Sequence, residues 1–482
     1  MVAALPLPAG HSGVPAIMTF FRSLSLAIVS AAAPLALAAP AAAQSIPYQL
    51  EARSILERLV SYRTAEGQGQ VPAMAGYIAD TLRAAGIPDA DIVTIPRGET
   101  LSMIVRIPGS DAGATPIMFS AHMDVVDARP EDWERSPFTL IEENGFFYGR
   151  GVGDNKTGVT SLVSTILRLK ADGVQPRRTL LFAFVGNEET EGTTAGDIAA
   201  HPWVRGAEFV INTDAGGGQL SPDGRPLIYF VQGAEKTFAS FRITARNPGG
   251  HSSVPRPDNA IYDLARGLLG IERYQFPVMA NDLTRSYFAA VGQVETGPIA
   301  PMLRRFAANP EDAEALAAIR AEPEYANKLA TTCVATMLSA GHAENALPQR
   351  AEATVNCRIF PGTAIATVQQ QLVAALGNPA LTVEVTGNPT ATPASEMRAD
   401  LTAAITRSIH ARYPGVAITP SLSAGATDGL FYRAAGLPTY GTGGNFSVPG
   451  EEFAHGLNEK IRTEGFYAAI EHIHDLAVDL GR

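Results

Sequence analysis

Positive charge, thiols and the punctuation of serine hydrolases are what this 482-residue chain has least of. Its 37 Lys and Arg stand against 48 Asp and Glu, a formal net charge of −11. That balance excludes nucleic acid or an anionic membrane as the main partner, because either requires a basic patch to exchange for counterions. With only two cysteines, metal chemistry falls to nitrogen and oxygen ligands. No G-x-S-x-G elbow is present, which removes serine-based hydrolysis of that type. Gly149-Arg-Gly-Val-Gly153 lacks the third glycine of G-x-G-x-x-G and any Lys-Ser/Thr ending, so it is not a phosphate cradle. No internal repeat occurs, and the only low-complexity tract is an Ala-rich stretch near the N-terminus. What remains, 46% hydrophobic and 18% charged, is the composition of a globular protein long enough for two or three cores.

The Ala-rich stretch reads as a targeting segment. Met18-Thr-Phe-Phe-Arg22, an apolar run over 24–39 and Ala41-Ala-Ala43 supply a basic n-region, an h-region and a cleavage site. Residues 1–43 are therefore expected to be a signal peptide, with translation starting at Met18 and the mature protein secreted or periplasmic, with no membrane attachment after cleavage. Pro34 makes the run a poor anchor. In an oxidising compartment the cysteines gain interest. Cys333 and Cys357 lie in two β-like runs equidistant from Asn345; if the runs pair as an antiparallel hairpin, a disulfide can form, the other reading being two buried thiols.

Periodicity places helices at 49–62 and 71–85, strands at 102–107 and 116–121, a helix at 157–171, and near-continuous apolar strands at 179–185 and 209–212. Such runs suit a sheet covered on both faces, an α/β arrangement. From Gly233 the pattern changes to an alternating strand (237–245), a helix (259–270), a proline-containing stretch with helical segments, the cysteine hairpin, a helix (365–376) and a strand (381–386). The order β, α, β, β, α, β is that of a ferredoxin-like α+β module. After about residue 388 the first pattern returns, with helices at 399–411 and 459–480. The expected organisation is a larger domain in two parts, 44–234 and 389–482, interrupted by an inserted domain over 235–388.

Chemistry-bearing residues gather at strand ends. His122-Met-Asp124 follows one strand, Asn187-Glu188-Glu189 the next and Asp214 a third; Asp154 ends the glycine-rich loop as an apparent helix N-cap, and His455 comes late. Two imidazoles with three or four carboxylates suit Zn²⁺ or Co²⁺, with Mn²⁺ less suited. One carboxylate can bridge two ions, and such a pair activates water for hydrolysis while an unligated Glu carries the proton. His472 and His474, two apart on the closing helix, read as surface histidines, His201 as a loop residue, and His342 as support for the turn at Asn345. The turns Thr427-Asp428-Gly429 and Tyr440-Gly-Thr-Gly443-Gly444 read as walls holding substrate backbone.

Ala121-His-Met-Asp-Val-Val126, Trp133 with Ser136-Pro-Phe138, the run 145–156, Asn187-Glu-Glu189, Gly249-Gly-His251, Asn345-Ala-Leu-Pro348 with Arg358, and His455 together resemble the dinuclear zinc hydrolases that include carboxypeptidase S, glutamate carboxypeptidase, aminoacylase, acetylornithine deacetylase and succinyl-diaminopimelate desuccinylase. The carboxypeptidase S branch is the most similar. The resemblance implies a zinc-exopeptidase (phosphorylase/hydrolase-like) catalytic domain with a ferredoxin-like lid and dimerisation domain, and two Zn²⁺. It implies that His122 and Asp214 bind one ion, Glu189 and His455 the other, and that Asp154 bridges them. Asp124 would orient His122, Glu188 would be the general base, and His251 would polarise the scissile carbonyl, from the neighbouring subunit in a homodimer. Asn345, Arg358 and Gly443 would bind substrate, the first two through its free carboxylate. The implied reaction is cleavage of the C-terminal peptide bond of small peptides or of the amide of N-acyl amino acids. Deacetylation or desuccinylation of a small amino-acid metabolite is the alternative, and a non-catalytic binding homologue the rival class. Asp127, Asn155 and Asn187 depart from the family's usual Pro, Asp and Asp.

Overall fold

The computed structural model describes residues 47–482; the expected signal peptide lies outside the described residues. Its framework is a ten-stranded sheet. At its centre, strands Leu180–Val185, Ile117–His122, Val210–Asn212 and Thr439–Gly441 run side by side and all parallel. Antiparallel Thr100–Ile107 and Ile92–Arg97 extend one flank. The other flank carries Pro226–Glu235, Gly217–Leu220 and Phe446–Ser447, with Ala417–Ser423 paired to Pro226–Glu235.

The near-continuous apolar runs are explained by this position. Phe119, Ala121, Leu180, Phe182 and Phe184 join one core with helices Val71–Ala84, Lys156–Ala171, Ala399–Arg412 and Thr463–Leu480. Met118, Leu181, Ala183 and Val185, pointing the other way, join a second core with helices Thr193–Ala200 and Gly429–Ala434. Alternate side chains of each strand thus meet a different helical layer, so neither face can be polar.

A second, four-stranded antiparallel sheet is formed by Thr237–Arg246, Thr332–Ala340, Arg350–Ile359 and Thr382–Thr386. Numbered along the chain, its strands lie in the order 2-3-1-4, and helices Ala260–Arg273 and Ile365–Leu376 cover one face through Leu264, Ile271, Val368 and Leu372. This is ferredoxin-like connectivity. Phe241, Ile243, Val355 and Cys357 point inward in strict alternation. Cys333 and Cys357 are register partners and are joined in a disulfide. The proline-containing stretch forms four helices, Asp282–Val294, Ile299–Ala308, Ala313–Ala321 and Pro323–Leu329; the first packs on strands Ala417–Ser423 and Pro226–Glu235 of the large sheet.

Candidate metal centre

Because the four central strands are parallel, their C-terminal ends share one edge, where open α/β sheets hold ligands. His122 ends its strand there; Glu188 and Glu189, Asp214, and Gly443 follow the other three within a few residues. Asp154 reaches the same edge from the loop before helix Lys156–Ala171.

Two ligand groups form, His122–Asp154–Asp214 and Asp154–Glu189–His455, each with its donor atoms within 4.8 Å of one another. Asp154 belongs to both. Its Oδ1 lies 2.9 Å from His122 Nε2 and its Oδ2 3.2 Å from His455 Nε2. Asp214 Oδ1 stands 3.3 Å from the first imidazole, and Glu189 Oε2 2.9 Å from the second. The ring of His122 is fixed from behind, with Nδ1 3.0 Å from the main-chain oxygen of Asp124 and 3.7 Å from its carboxylate. Both oxygens of that carboxylate accept main-chain N–H bonds, at 3.0 Å each, from Glu188 and Glu189. Asp124 thereby ties the His122 strand end to the acidic loop.

The donor set fits divalent cations. Burial pushes Asp214 up to about 7, with Asp154 adding to the push. Glu188 is driven to about 10, chiefly by burial, with His122 opposing the push and Asp214, Asp428 and Glu189 adding to it. His455 is raised to about 10 by its bonds to Asp154 and Glu189. Bound cations would take the place of these protons among the crowded carboxylates.

The helix cap expected of Asp154 belongs to its neighbour. Asn155 is the N-cap of Lys156–Ala171, its side chain accepting from Gly158 N at 3.1 Å while Nδ2 donates to Thr213. Asp154 stands one residue outside the helix, and the peptide joining the two is cis. Its position is set by Glu459, which the sequence reading put at the start of the closing helix. That helix instead begins at Thr463. Glu459 is fully buried and accepts from Gly151, Gly153 and Asp154 N–H groups and from Arg150. Of the two other departures, Asn187 closes its loop by accepting from Thr194 N and Oγ1, and Asp127 pairs with Arg63 through both oxygens at 2.7 Å.

A cleft of about 520 Å³ opens over the centre, lined by Asp154, Glu188, Glu189, Asp214 and His455 and also by Phe230, Tyr287, Lys328, Leu422, Thr427 and Glu452. His251, Asn345, Arg358 and Gly443 are not among its lining residues. His251 and Asn345 come together on an exposed two-stranded ribbon, where Ser252 N donates to Asn345 O at 3.0 Å. Gly443 is buried beside Thr213 O. Thr427 does form cleft wall, but Asp428 lies wholly buried, its carboxyl driven up by burial and by Asp214 and without a hydrogen-bond partner among the described residues. His472 is not at the surface as expected: it is fully buried, hydrogen-bonded to Ser408 and Thr442.

The model of the family described as Peptidase family M20/M25/M40 matches residues 118–479. The human N-fatty-acyl-amino acid synthase/hydrolase PM20D1 is 28% identical over 397 residues, 78% of this chain and 76% of the relative. A probable carboxypeptidase S-like 2 of Dictyostelium discoideum is 27% identical over 54% of this chain and 51% of its own length. Among solved structures, the M20 family metallo-carboxypeptidase Sso-CP2 from Sulfolobus solfataricus superposes with a TM-score of 0.64 at 19% identity, over 89% of this chain and 99% of that one. The parallel-edge site and the family match lead to one conclusion: the chain belongs to Peptidase family M20/M25/M40 and is an enzyme that hydrolyses amide bonds.

Proposed function

We propose that the protein is an exported, zinc-dependent hydrolase of N-acyl amino acids or of the C-terminal peptide bond of small peptides. The observation that carries this reading is the double membership of Asp154, whose two oxygens face two different imidazoles, each accompanied by its own second carboxylate. His122 and Asp214 would hold one ion, His455 and Glu189 the other. When bound, such a pair supplies electrophilic charge for a carbonyl oxygen and lowers the pKa of water to near neutrality. Glu188, on the same loop as Glu189 and lining the same cleft, is free of both ligand groups and takes the role of proton carrier, from water to the leaving nitrogen. His251 and Asn345, exposed and outside their own chain's cleft, support a homodimer in which the partner completes the site; Arg358 would receive the substrate's carboxylate.

The test is hydrolysis of a panel of dipeptides and N-acyl amino acids by wild type and Glu188→Gln, with metal content measured alongside. Wild type is expected to lose turnover to a chelator and regain it with Zn²⁺ or Co²⁺. Glu188→Gln is expected to keep its metal and lose at least 100-fold in kcat, the scale of a general base. Full activity of the variant removes Glu188 from that role, and a metal-loaded wild type inert on the whole panel favours a binding protein.

A further inference from the structure

The sequence reading leaves Lys328 and Lys236 without any role, yet they meet Arg358 at one strand end. Three consecutive carbonyls close strand Ala417–Ser423. Lys328 Nζ donates to Leu422 O at 2.5 Å, the main-chain N–H of Lys236 to Ser423 O at 3.0 Å, and Arg358 Nη1 to Ala424 O at 3.5 Å. Lys236 Nζ, fully buried, donates to Ala330 O at 2.5 Å. Among the described residues none of the three forms an ion pair, and only Glu324 favours the charge on Lys328. Burial weakens the hold of all three on their protons, and Lys328 and Arg358 add their repulsion at Lys236.

Three basic side chains gathered around main-chain oxygens, with no ion pair among the described residues, retain unused donors. An ammonium has three N–H bonds and a guanidinium five, of which this network uses one each. Lys328 alone of them lines the catalytic cleft, and it is the only Lys or Arg among the described residues that do. The other ionisable lining groups are Asp154, Glu188, Glu189, Asp214, Glu452 and His455. One basic side chain, Lys328, thus shares the cleft with the acidic groups of the metal centre and Glu452, and its ammonium also faces Tyr287 at 5.8 Å from the ring centroid.

Resting on the hydrolase reading above, we infer that Lys328 selects the substrate: it contacts a carboxylate of the N-acyl amino acid or peptide lying in the cleft, with Arg358 beside it and Lys236 as the buried charge behind. A purely structural Lys328 would only cap Leu422 O. The two roles separate in kinetics on matched substrates, each N-acyl amino acid paired with its C-terminal amide, using the zinc-loaded full chain. In Lys328→Met the KM for the carboxylate is expected to rise at least tenfold more than the KM for the amide, and Lys328→Arg is expected to restore most of that preference. Equal changes on acid and amide, or a preference intact in Lys328→Met, overturn the inference. Should no substrate on the panel turn over, the hydrolase reading fails separately, and calorimetric binding of N-acetylglycine against N-acetylglycinamide decides. Carboxylate binding at least tenfold weaker in Lys328→Met sustains the inference, and unchanged binding ends it.

Discussion

At the residue scale, the unusual member of the site is Glu459, a carboxylate that never faces the cleft. Its two oxygens collect three main-chain N–H groups and Arg150, at 2.7 to 3.1 Å, and so hold the loop that aims Asp154. An amide in its place turns one acceptor into a donor aimed at N–H groups and leaves Arg150 buried without an opposite charge. Glu459→Gln is expected to lower stability by about 3–5 kcal/mol, read from urea unfolding, and to weaken cation binding. An unchanged unfolding midpoint would refute that account. Asp154 was legible in the sequence because a carboxylate between a glycine-rich loop and an amphipathic helix is held and exposed. The capping role went to the wrong neighbour because Asp and Asn cap equally well. Glu459 left no sequence signal: its partners are main-chain groups some 300 positions earlier, which have no side-chain identity to read.

At the scale of elements, strands were legible wherever burial on both faces made them wholly apolar, as in Leu180–Val185. Helix faces were less so. The i, i+2 spacing of His472 and His474 correctly separates their directions, but helix Thr463–Leu480 lies between Lys156–Ala171 and Ala399–Arg412, and the direction of His472 is inward. There burial, with Arg412, lowers its pKa to about 3, and the ring stays neutral between Ser408 and Thr442. The unfolded chain takes up a proton near pH 6.5 that the folded chain refuses, so this contribution to stability is present above about pH 6.5 and is lost as pH falls toward 3. Between pH 7 and pH 5 the wild type is expected to lose on the order of 2 kcal/mol more than His472→Gln in urea unfolding; parallel losses would show that the histidine is not the source.

For the whole molecule, the small sheet carries the argument for a second copy. Its edge strand Thr332–Ala340 presents Val334, Met337 and Leu338, each at least 60% exposed, and the neighbouring helix adds Ile261, Tyr262 and Leu269, also exposed. A free strand edge with apolar side chains invites pairing with its own kind. The proposed homodimer would cover it and bring His251 to the partner's cleft. Met337→Glu with Leu338→Glu is expected to convert a dimer to monomers in sedimentation and to lower kcat at least tenfold with metal content intact; a wild type that sediments as a monomer at full activity rules this out. One further consequence follows from the way Asp154 is held. Four of the five candidate ligands lie between residues 122 and 214, but the fifth, His455, and the clasp, Glu459, come from beyond the inserted sheet. A stretch of chain that stops short of His455 and Glu459 therefore carries most of the site's acids yet lacks the two groups that set their geometry, so the site is expected to assemble only when distant parts of the sequence have folded together.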